Sequence, residues 1–178
     1  MIFYNMALKE QFNSPEIDRS VKRFDFTVLG SMSVRTGVLD VVKAIASLNK
    51  QGENVNLKLI GDPSIDRKLF EQIQEVIRDN QIQNKVAITG RVPYFQIPFE
   101  LSDCKIGVIP LLNIPKFQNN IATKQFEYMA SQMPIIASDL SPQKIFILDN
   151  FNGLHYQPGN IDELIDKMTY FLHNPGEI

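Results

Sequence analysis

Cysteine and histidine are scarce in this 178-residue sequence, which has one of the first and two of the second. A single cysteine excludes an intrachain disulfide and a cysteine metal cage. We expect Cys104 to be a small buried apolar side chain rather than a nucleophile. The histidines, His155 and His173, fall in different predicted elements without the spacing of metal ligands. The sequence therefore predicts no metal site.

Long apolar runs and a strong excess of either charge are also missing. No run approaches the ~20 residues of a membrane-spanning helix, and no signal-peptide pattern opens the chain. The formal net charge of −2 gives no general attraction to nucleic acid or to an anionic membrane, so a phosphate ligand requires a local binding device. We expect a cytoplasmic protein that binds no nucleic acid, and its 44% apolar and 21% charged residues indicate a folded globular domain.

Several catalytic motifs are absent from the sequence. There is no G-x-S-x-G of serine hydrolases, no G-x-x-x-x-G-K-[ST] phosphate loop and no G-x-G-x-x-G dinucleotide fingerprint. Gly30 and Gly37, separated by six residues after an apolar run, form a looser pattern than either glycine motif. They fit a phosphate-binding loop and an ordinary turn before a helix equally well.

Short apolar runs alternate with helical patterns along the chain. The runs predict strands at 24–29, 56–60, 85–89, 105–111, 134–138 and around 154–156. Helical periodicity and end signals predict helices at 38–49, 65–80, 94–102, from about 123, 142–150 and 161–173. The alternation predicts an α/β fold with a parallel sheet covered by helices on both faces, whose ligand binds at the carboxyl ends of the strands.

The stretch 119–139, NNIATKQFEYMASQMPIIASD, combines a polar loop, a helix and a strand. A helix start offers backbone N–H groups without partners, which suit an anion. Lys124 and Glu127 are three residues apart and share one helix face. They form either an exposed ion pair of little energetic value or a ligand site. In a ligand site Lys124 meets a phosphate and Glu127 accepts hydrogen bonds from sugar hydroxyls.

These pieces, in this order, resemble the carboxyl-terminal, nucleotide-sugar-binding half of the retaining glycosyltransferases of family four (glycosyl transferases group 1). The strongest piece is 124–139, which is similar to the family's K-x-F-E-Y-M-A-x-G-x-P-V-I-A-S-D. LKLIGD at 57–62, VAITGRVP at 86–93 and the Asn-Gly and Pro-Gly pairs between 152 and 159 follow the family's order. The resemblance implies a Rossmann-like parallel sheet with helices on both faces, one half of a GT-B type glycosyltransferase.

The resemblance also implies a donor site framed by two glutamates eight residues apart. Glu127 matches the second glutamate, which binds the ribose hydroxyls, whereas the first falls at Asn119 and leaves the choice of donor sugar open. The family's diphosphate-binding Arg and Lys fall at Ser31 and Thr36, neither of which is cationic. Arg35 stands one place before the expected Lys, and its substitution for that residue is a hypothesis.

By this resemblance we expect three catalytic residues, Lys124, Glu127 and Arg35. We expect nucleotide-sugar contacts from these further positions: Gly30, Ser31, Thr36, Arg91, Val92, Asn119, Ile121, Ala122 and Thr123. The donor is expected to be a UDP- or GDP-linked sugar, bound without a metal or another cofactor. The product is expected to belong to a surface polysaccharide such as a capsule.

The resemblance divides the protein into residues 1–23, an interdomain entry segment, and residues 24–178, the donor-binding domain. The family's amino-terminal acceptor domain is absent, so we expect an excised domain, or one half of a split enzyme, that is inactive alone. The saccharide acceptor would bind through that missing domain. The full enzyme would associate peripherally with the inner face of the membrane.

Two other interpretations stay open. A different enzyme on the same scaffold, such as a nucleotide-sugar epimerase or a phosphorylase, would need catalytic carboxylates or a cofactor lysine that this sequence does not place. A degenerate, non-catalytic nucleotide-sugar-binding module or subunit is favoured by the missing Arg, Lys and first Glu. Fold alone does not separate these functions.

Overall fold

A single parallel sheet forms the centre of the fold. The computed structural model describes residues 7, 9–12, 14 and 17–175. Within them the strands are β1 (Phe24–Leu29), β2 (Leu57–Ile60), β3 (Val86–Ile88), β4 (Cys104–Ile109), β5 (Ile135–Ser138) and β6 (Gly153–Tyr156). Their order is β3-β2-β1-β4-β5-β6, and every neighbouring pair is parallel. This is the strand order of a doubly wound, Rossmann-like sheet.

Helices cover both faces of the sheet. They are α1 (Lys9–Phe12), α2 (Val38–Lys50), α3 (Arg67–Asp79), α4 (Ile97–Ser102), α5 (Pro115–Gln118), α6 (Lys124–Ala130), α7 (Ser141–Lys144) and α8 (Ile161–His173). Short 3₁₀ turns lie at Val34–Thr36, Pro63–Ile65 and Tyr94–Gln96. One apolar cluster joins α2, α3 and α8 to one face, and a second joins α4 and α6 to the other. The predicted fold class is therefore confirmed.

The predicted elements agree closely with the structure, with two corrections. The predicted helix 142–150 is wrong beyond Lys144, because the Asn152 side chain accepts from Leu148 N–H and donates to the Phe146 carbonyl, which holds the chain in a turn. The helices α1 and α5 are not predicted from the sequence, since each has four residues and is too short to show a hydrophobic period. The sequence also predicts a short strand-like start to the stretch 1–12, whose first six residues lie outside the described residues.

The core reaches beyond the sheet into the entry segment. Phe12 is fully buried in the same cluster as Leu101 and Tyr128, and Ile17 is also buried. Cys104 is buried as well, which confirms the expectation for this side chain.

A buried ion cluster holds α4 against β2. The Lys58 amine lies 2.6 Å from the Glu100 carboxylate and 3.0 Å from that of Asp103. It also donates to the Glu100 carbonyl at the end of α4. Separating the partners of a buried ion pair is costly, because it leaves an uncompensated charge. The cluster therefore holds α4, and with it the turn that precedes α4, in place.

The strands β1 and β4 part before their carboxyl ends. Pairing between them ends at Thr27 and Gly107, whereas β1 stays paired with β2 as far as Leu29. The Tyr128 hydroxyl fills this gap, since it accepts from Leu29 N–H at 2.8 Å and lies 3.3 Å from the Thr27 carbonyl oxygen. Burial raises the pKa of Tyr128 well above its usual value, so the hydroxyl keeps the proton that it donates. The ring packs on Gly107, where an added Cβ would lie 2.5 Å from it.

We expect Tyr128→Phe to lower the free energy of unfolding by about 1–3 kcal/mol, because Leu29 N–H would be left buried without a partner. Urea denaturation measures this loss. The matched control is Tyr94→Phe, which removes the hydroxyl of a tyrosine that is 48% exposed and should leave stability unchanged. A Tyr128→Phe variant as stable as the parent would show that the hydroxyl does not hold the parting strands.

Candidate functional site

A cavity of about 590 Å³ lies at the carboxyl ends of β1, β2 and β3, beside the start of α6. This volume is in the range of small-molecule sites. Its floor is backbone from Gly30, Ser31 and Gly61. Its walls include apolar side chains, which are Leu29, Ile60, Ile65, Val92, Tyr94 and Ile97. Its charged groups are those of Asp62, Arg91, Lys124 and Glu127.

The floor of the cavity requires glycine at two places. Gly30 has a φ of +116°, which side chains rarely adopt. A Cβ on Gly61 would lie 2.0 Å from the Gly30 carbonyl oxygen. The Lys124 amine lies above this floor, 3.1 Å from where a Cβ on Gly30 would stand. The cavity therefore presents bare backbone beneath a cationic side chain.

Lys124 and Glu127 face the cavity together, one helical turn apart. Both side chains are partly buried, so they are not an exposed pair on a solvated helix face. Burial lowers the pKa of Lys124 to about 8, against the opposing effect of Glu127. Burial likewise raises the pKa of Glu127, against the effect of Lys124. A bound ligand that complements both charges would offset part of the cost of this desolvation.

The turn after β2 faces the residues that follow β3. Asp62 accepts hydrogen bonds from the backbone N–H and the hydroxyl of Ser64, at 2.9 and 2.6 Å. These bonds lower the pKa of Asp62, and the charge of Arg91 adds to the effect. Arg91 and Val92, for which the resemblance implies contacts with a nucleotide sugar, both line the cavity. Asp62 was not among the predicted site residues.

The loop after β1 is closed by its own hydrogen bonds. The Thr36 hydroxyl lies 2.7 Å from the Ser33 carbonyl oxygen and 3.1 Å from that of Ser31. It also accepts from Ser33 N–H. The hydroxyl of this buried residue is therefore engaged inside the loop. At Gly37, with φ +64°, a Cβ would lie 1.9 Å from the Pro110 carbonyl oxygen, so the loop is pressed against the one after β4.

The structure brings together seven of the twelve predicted site residues: Gly30, Ser31, Arg91, Val92, Thr123, Lys124 and Glu127 line the cavity. Thr36 is buried in its loop, and Ala122 belongs to the apolar core. The Arg35 side chain is exposed, while its carbonyl accepts from Leu112 N–H. Asn119 and Ile121 lie between α5 and α6, outside the cavity lining.

Ile65 and Tyr94 are two of the seven lining residues that were not predicted from the sequence. Each lies in a 3₁₀ turn that follows a strand. Such short turns show no hydrophobic periodicity that would identify their residues as part of a site. The one signal in the sequence is that each residue lies four places after a glycine that ends a strand.

The described part of the chain offers no group of three or more histidine, cysteine or acidic side chains arranged to hold a metal. None of its helices combines the length and the apolar character needed to cross a membrane.

The fold is a Rossmann-like parallel sheet, with the cavity at the carboxyl ends of its strands. The chain belongs to the family of glycosyl transferases group 1, whose model matches residues 9–177. The family assignment from sequence is thus confirmed.

Individual relatives agree with this family. An uncharacterized glycosyltransferase of Methanocaldococcus jannaschii is 23% identical over 82% of this chain and 37% of its own length. Anabaena HepE in complex with UDP-glucose superposes with a TM-score of 0.80 at 16% identity, over 99% of this chain and 49% of that one. The carboxyl-terminal domain of a group 1 glycosyl transferase from Francisella tularensis gives 0.74 at 15% identity, over 95% and 84%. The chain thus spans about half or less of the two longer relatives.

We expect the buried Lys124 amine to make stability depend on pH above neutrality. In an unfolded chain a lysine has a pKa of about 10.4, so between about pH 8 and 10 the unfolded state holds a proton that the folded state has released. Stability therefore rises with pH in this window. Relative to Lys124→Met, the parent should gain about 1–3 kcal/mol of unfolding free energy between about pH 7.5 and 10.

Urea denaturation at a series of pH values measures this difference. The control is Lys68→Met, which removes an exposed lysine of α3 and should follow the parent at every pH. If Lys124→Met also ran parallel to the parent, the folded protein would not hold the amine in a desolvated position.

Proposed function

We propose that this chain is the donor-binding domain of a retaining glycosyltransferase that transfers a hexose from a nucleoside diphosphate sugar to a saccharide acceptor. The observation that carries the proposal is the pairing of Lys124 and Glu127 in one glycine-floored cavity. A carboxylate has only acceptor sites and suits a ribose diol. An ammonium group beside it suits the adjoining diphosphate.

The comparisons support a nucleotide-sugar donor. A protein of similar fold is known in complex with UDP-glucose, and this chain has a cavity of suitable size at the carboxyl ends of its strands. The acceptor would bind through an amino-terminal domain, and the assembled product would be a surface polysaccharide. Three parts of the proposal are inferred from the family resemblance. They are that the reaction retains the anomeric configuration, that the sugar is a hexose, and that the product is a surface polysaccharide.

In the proposed reaction the chain's own groups act on the departing diphosphate. The Lys124 amine above Gly30 would offset the negative charge that develops as the bond to the sugar breaks. Glu127 would hold the ribose and so fix the position of the diphosphate. Ser31 and Thr36 supply no positive charge. We propose that Arg35, which is exposed on the same loop, completes the clamp.

We expect one nucleoside diphosphate among UDP, GDP and ADP to raise the melting temperature of the chain. At about a hundred times its dissociation constant, a ligand adds about 2.7 kcal/mol of stability, which corresponds to about 5–10 °C for a domain of this size. Glu127→Ala should abolish the shift, because it removes the ribose acceptor. Differential scanning calorimetry measures both.

The matched control is Glu75→Ala, which removes an exposed glutamate of α3 and should keep the full shift. A shift that survives in Glu127→Ala would contradict the assigned ribose site. If none of the three nucleotides shifts the melting temperature, the titration is repeated on a polypeptide that carries the expected amino-terminal domain. Failure there as well would refute the donor-binding function.

We expect Arg35→Ala to weaken binding of the same nucleotide by about 10- to 100-fold, since it would remove one charge-assisted contact to the diphosphate. Isothermal titration calorimetry measures the affinity. Arg78→Ala, which removes an exposed arginine of α3, should bind as the parent does. Equal affinities for Arg35→Ala and the parent would refute the proposal that Arg35 replaces the missing cations.

A second function, a non-catalytic nucleotide-sugar-binding subunit, is favoured by one observation. The Thr36 hydroxyl is engaged within its loop, so the position that is lysine in the family serves structure in this chain. Weak nucleotide binding together with the absence of sugar transfer by the longer polypeptide would favour this function.

A further inference from the structure

The 3₁₀ turn Val34–Thr36, here called the Arg35 turn, is held from outside by two distant segments. On one side, the Val34 N–H donates to a carboxylate oxygen of Asp66 at 3.1 Å, 32 residues further along the chain. On the other side, the Arg35 carbonyl oxygen accepts from Leu112 N–H at 3.3 Å. The backbone just before Arg35 and its own carbonyl are therefore both fixed by contacts outside the turn.

Asp66 uses its two carboxylate oxygens for two different purposes. It is the N-cap of α3, and its Oδ1 accepts from Leu69 N–H at 3.1 Å. A cap of this kind needs one acceptor oxygen. The second oxygen, Oδ2, is the one that accepts from Val34 N–H. Each oxygen therefore has its own partner, one in α3 and one in the Arg35 turn.

The bond between Asp66 and Val34 ties the Arg35 turn to the wall of the cavity. Asp66 directly follows Ile65, which lines the cavity. Because Asp66 is partly buried, its bond to Val34 is also partly shielded from water, which strengthens it. One carboxylate therefore links the cavity wall to the turn that carries the proposed clamp.

The Arg35 side chain has no comparable support. It is exposed, and no side-chain hydrogen bond or ion pair joins it to the described part of the chain. Ordering a long side chain on a ligand costs binding free energy. A backbone that is already fixed limits this cost, because the side chain alone remains to be ordered.

We propose that Asp66 is a positioning residue for the donor, which holds the Arg35 turn through Val34 so that the guanidinium reaches the diphosphate. This deepens the proposed function and rests on it, in particular on the assignment of Arg35 to the clamp. Asp66 acts without touching the ligand, since it is not among the cavity lining and its negative charge would repel a diphosphate.

The variant Asp66→Ser separates the two bonds. A serine is a good N-cap and keeps the bond to Leu69 N–H, but its single oxygen cannot also hold Val34. Binding of the nucleoside diphosphate identified above, measured by calorimetry, should weaken by about 2- to 12-fold, the range that corresponds to ordering one further mobile group. The charge-matched control, Glu71→Ala, removes an exposed carboxylate of α3 and should bind as the parent does.

A double-mutant cycle shows whether Asp66 acts through Arg35. In the Arg35→Ala background, Asp66→Ser should cause no further loss of affinity, because the turn then carries no cation to position. An equal loss in both backgrounds would overturn the proposal, since a merely structural role of Asp66 would not depend on Arg35.

Hydrogen exchange followed by NMR gives a second readout. The Val34 amide should exchange faster in Asp66→Ser than in the parent, while the Leu69 amide keeps its protection. An unchanged exchange rate at Val34 would overturn the proposal, because the carboxylate would then not hold the turn in solution.

The outcomes separate this inference from the function on which it rests. Binding that is weakened by Arg35→Ala but unchanged in Asp66→Ser would overturn the positioning role and leave the donor site standing. If Arg35→Ala binds as the parent does, the clamp and its positioning both fail, whereas binding that still depends on Glu127 would preserve the donor site. A parent chain that binds no nucleotide, alone or with the amino-terminal domain, would refute the proposed function and this inference with it.

Discussion

The parting of two parallel strands creates the site and also its main physical difficulty. Where β1 and β4 separate, backbone groups inside the sheet lose their ladder partners, and leaving them buried and unpaired would be costly. Tyr128 resolves this by placing its hydroxyl at Leu29 N–H. Lys124 lies four residues earlier on the same face of α6, and its amine lies above Gly30. The helix whose tyrosine closes the sheet therefore also brings a cation to the cavity.

Most of the fold could be read from the sequence because its signals are local. The run Phe24–Leu29 ends at a glycine and coincides with β1, and the cap of Asn160 marks the start of α8 at Ile161. The prediction was wrong where periodicity and packing disagree. Ile145 and Leu148 have helical spacing, but both are exposed, and the side chain of Asn152 ends the helix early. Asn152 lies only four residues after Leu148, but a side-chain hydrogen bond leaves no trace in a hydrophobic pattern.

The candidate site was less accessible to sequence reasoning. Lys124 and Glu127 could be identified because their spacing fixes a shared helix face, and the family resemblance gave that face a function. Their burial could not be foreseen, since it depends on Gly30, which is 94 positions before Lys124 in the chain. Thr36 is a second example. It stands where the family has a cationic residue, but the resemblance does not show that its hydroxyl donates a hydrogen bond within its own loop. A contact between distant segments decides the first case, and hydrogen bonds within one loop decide the second.

The burial of Phe12 has a consequence for how such domains can be exchanged between proteins. This side chain precedes the first strand, yet it fills the core beneath α6 beside Leu101. A genetic crossover placed just before Phe24 would graft the sheet onto a new partner and leave a core residue behind. The unit that folds together is therefore longer than the sheet. A recombination event that preserves the fold must transfer Phe12 together with β1.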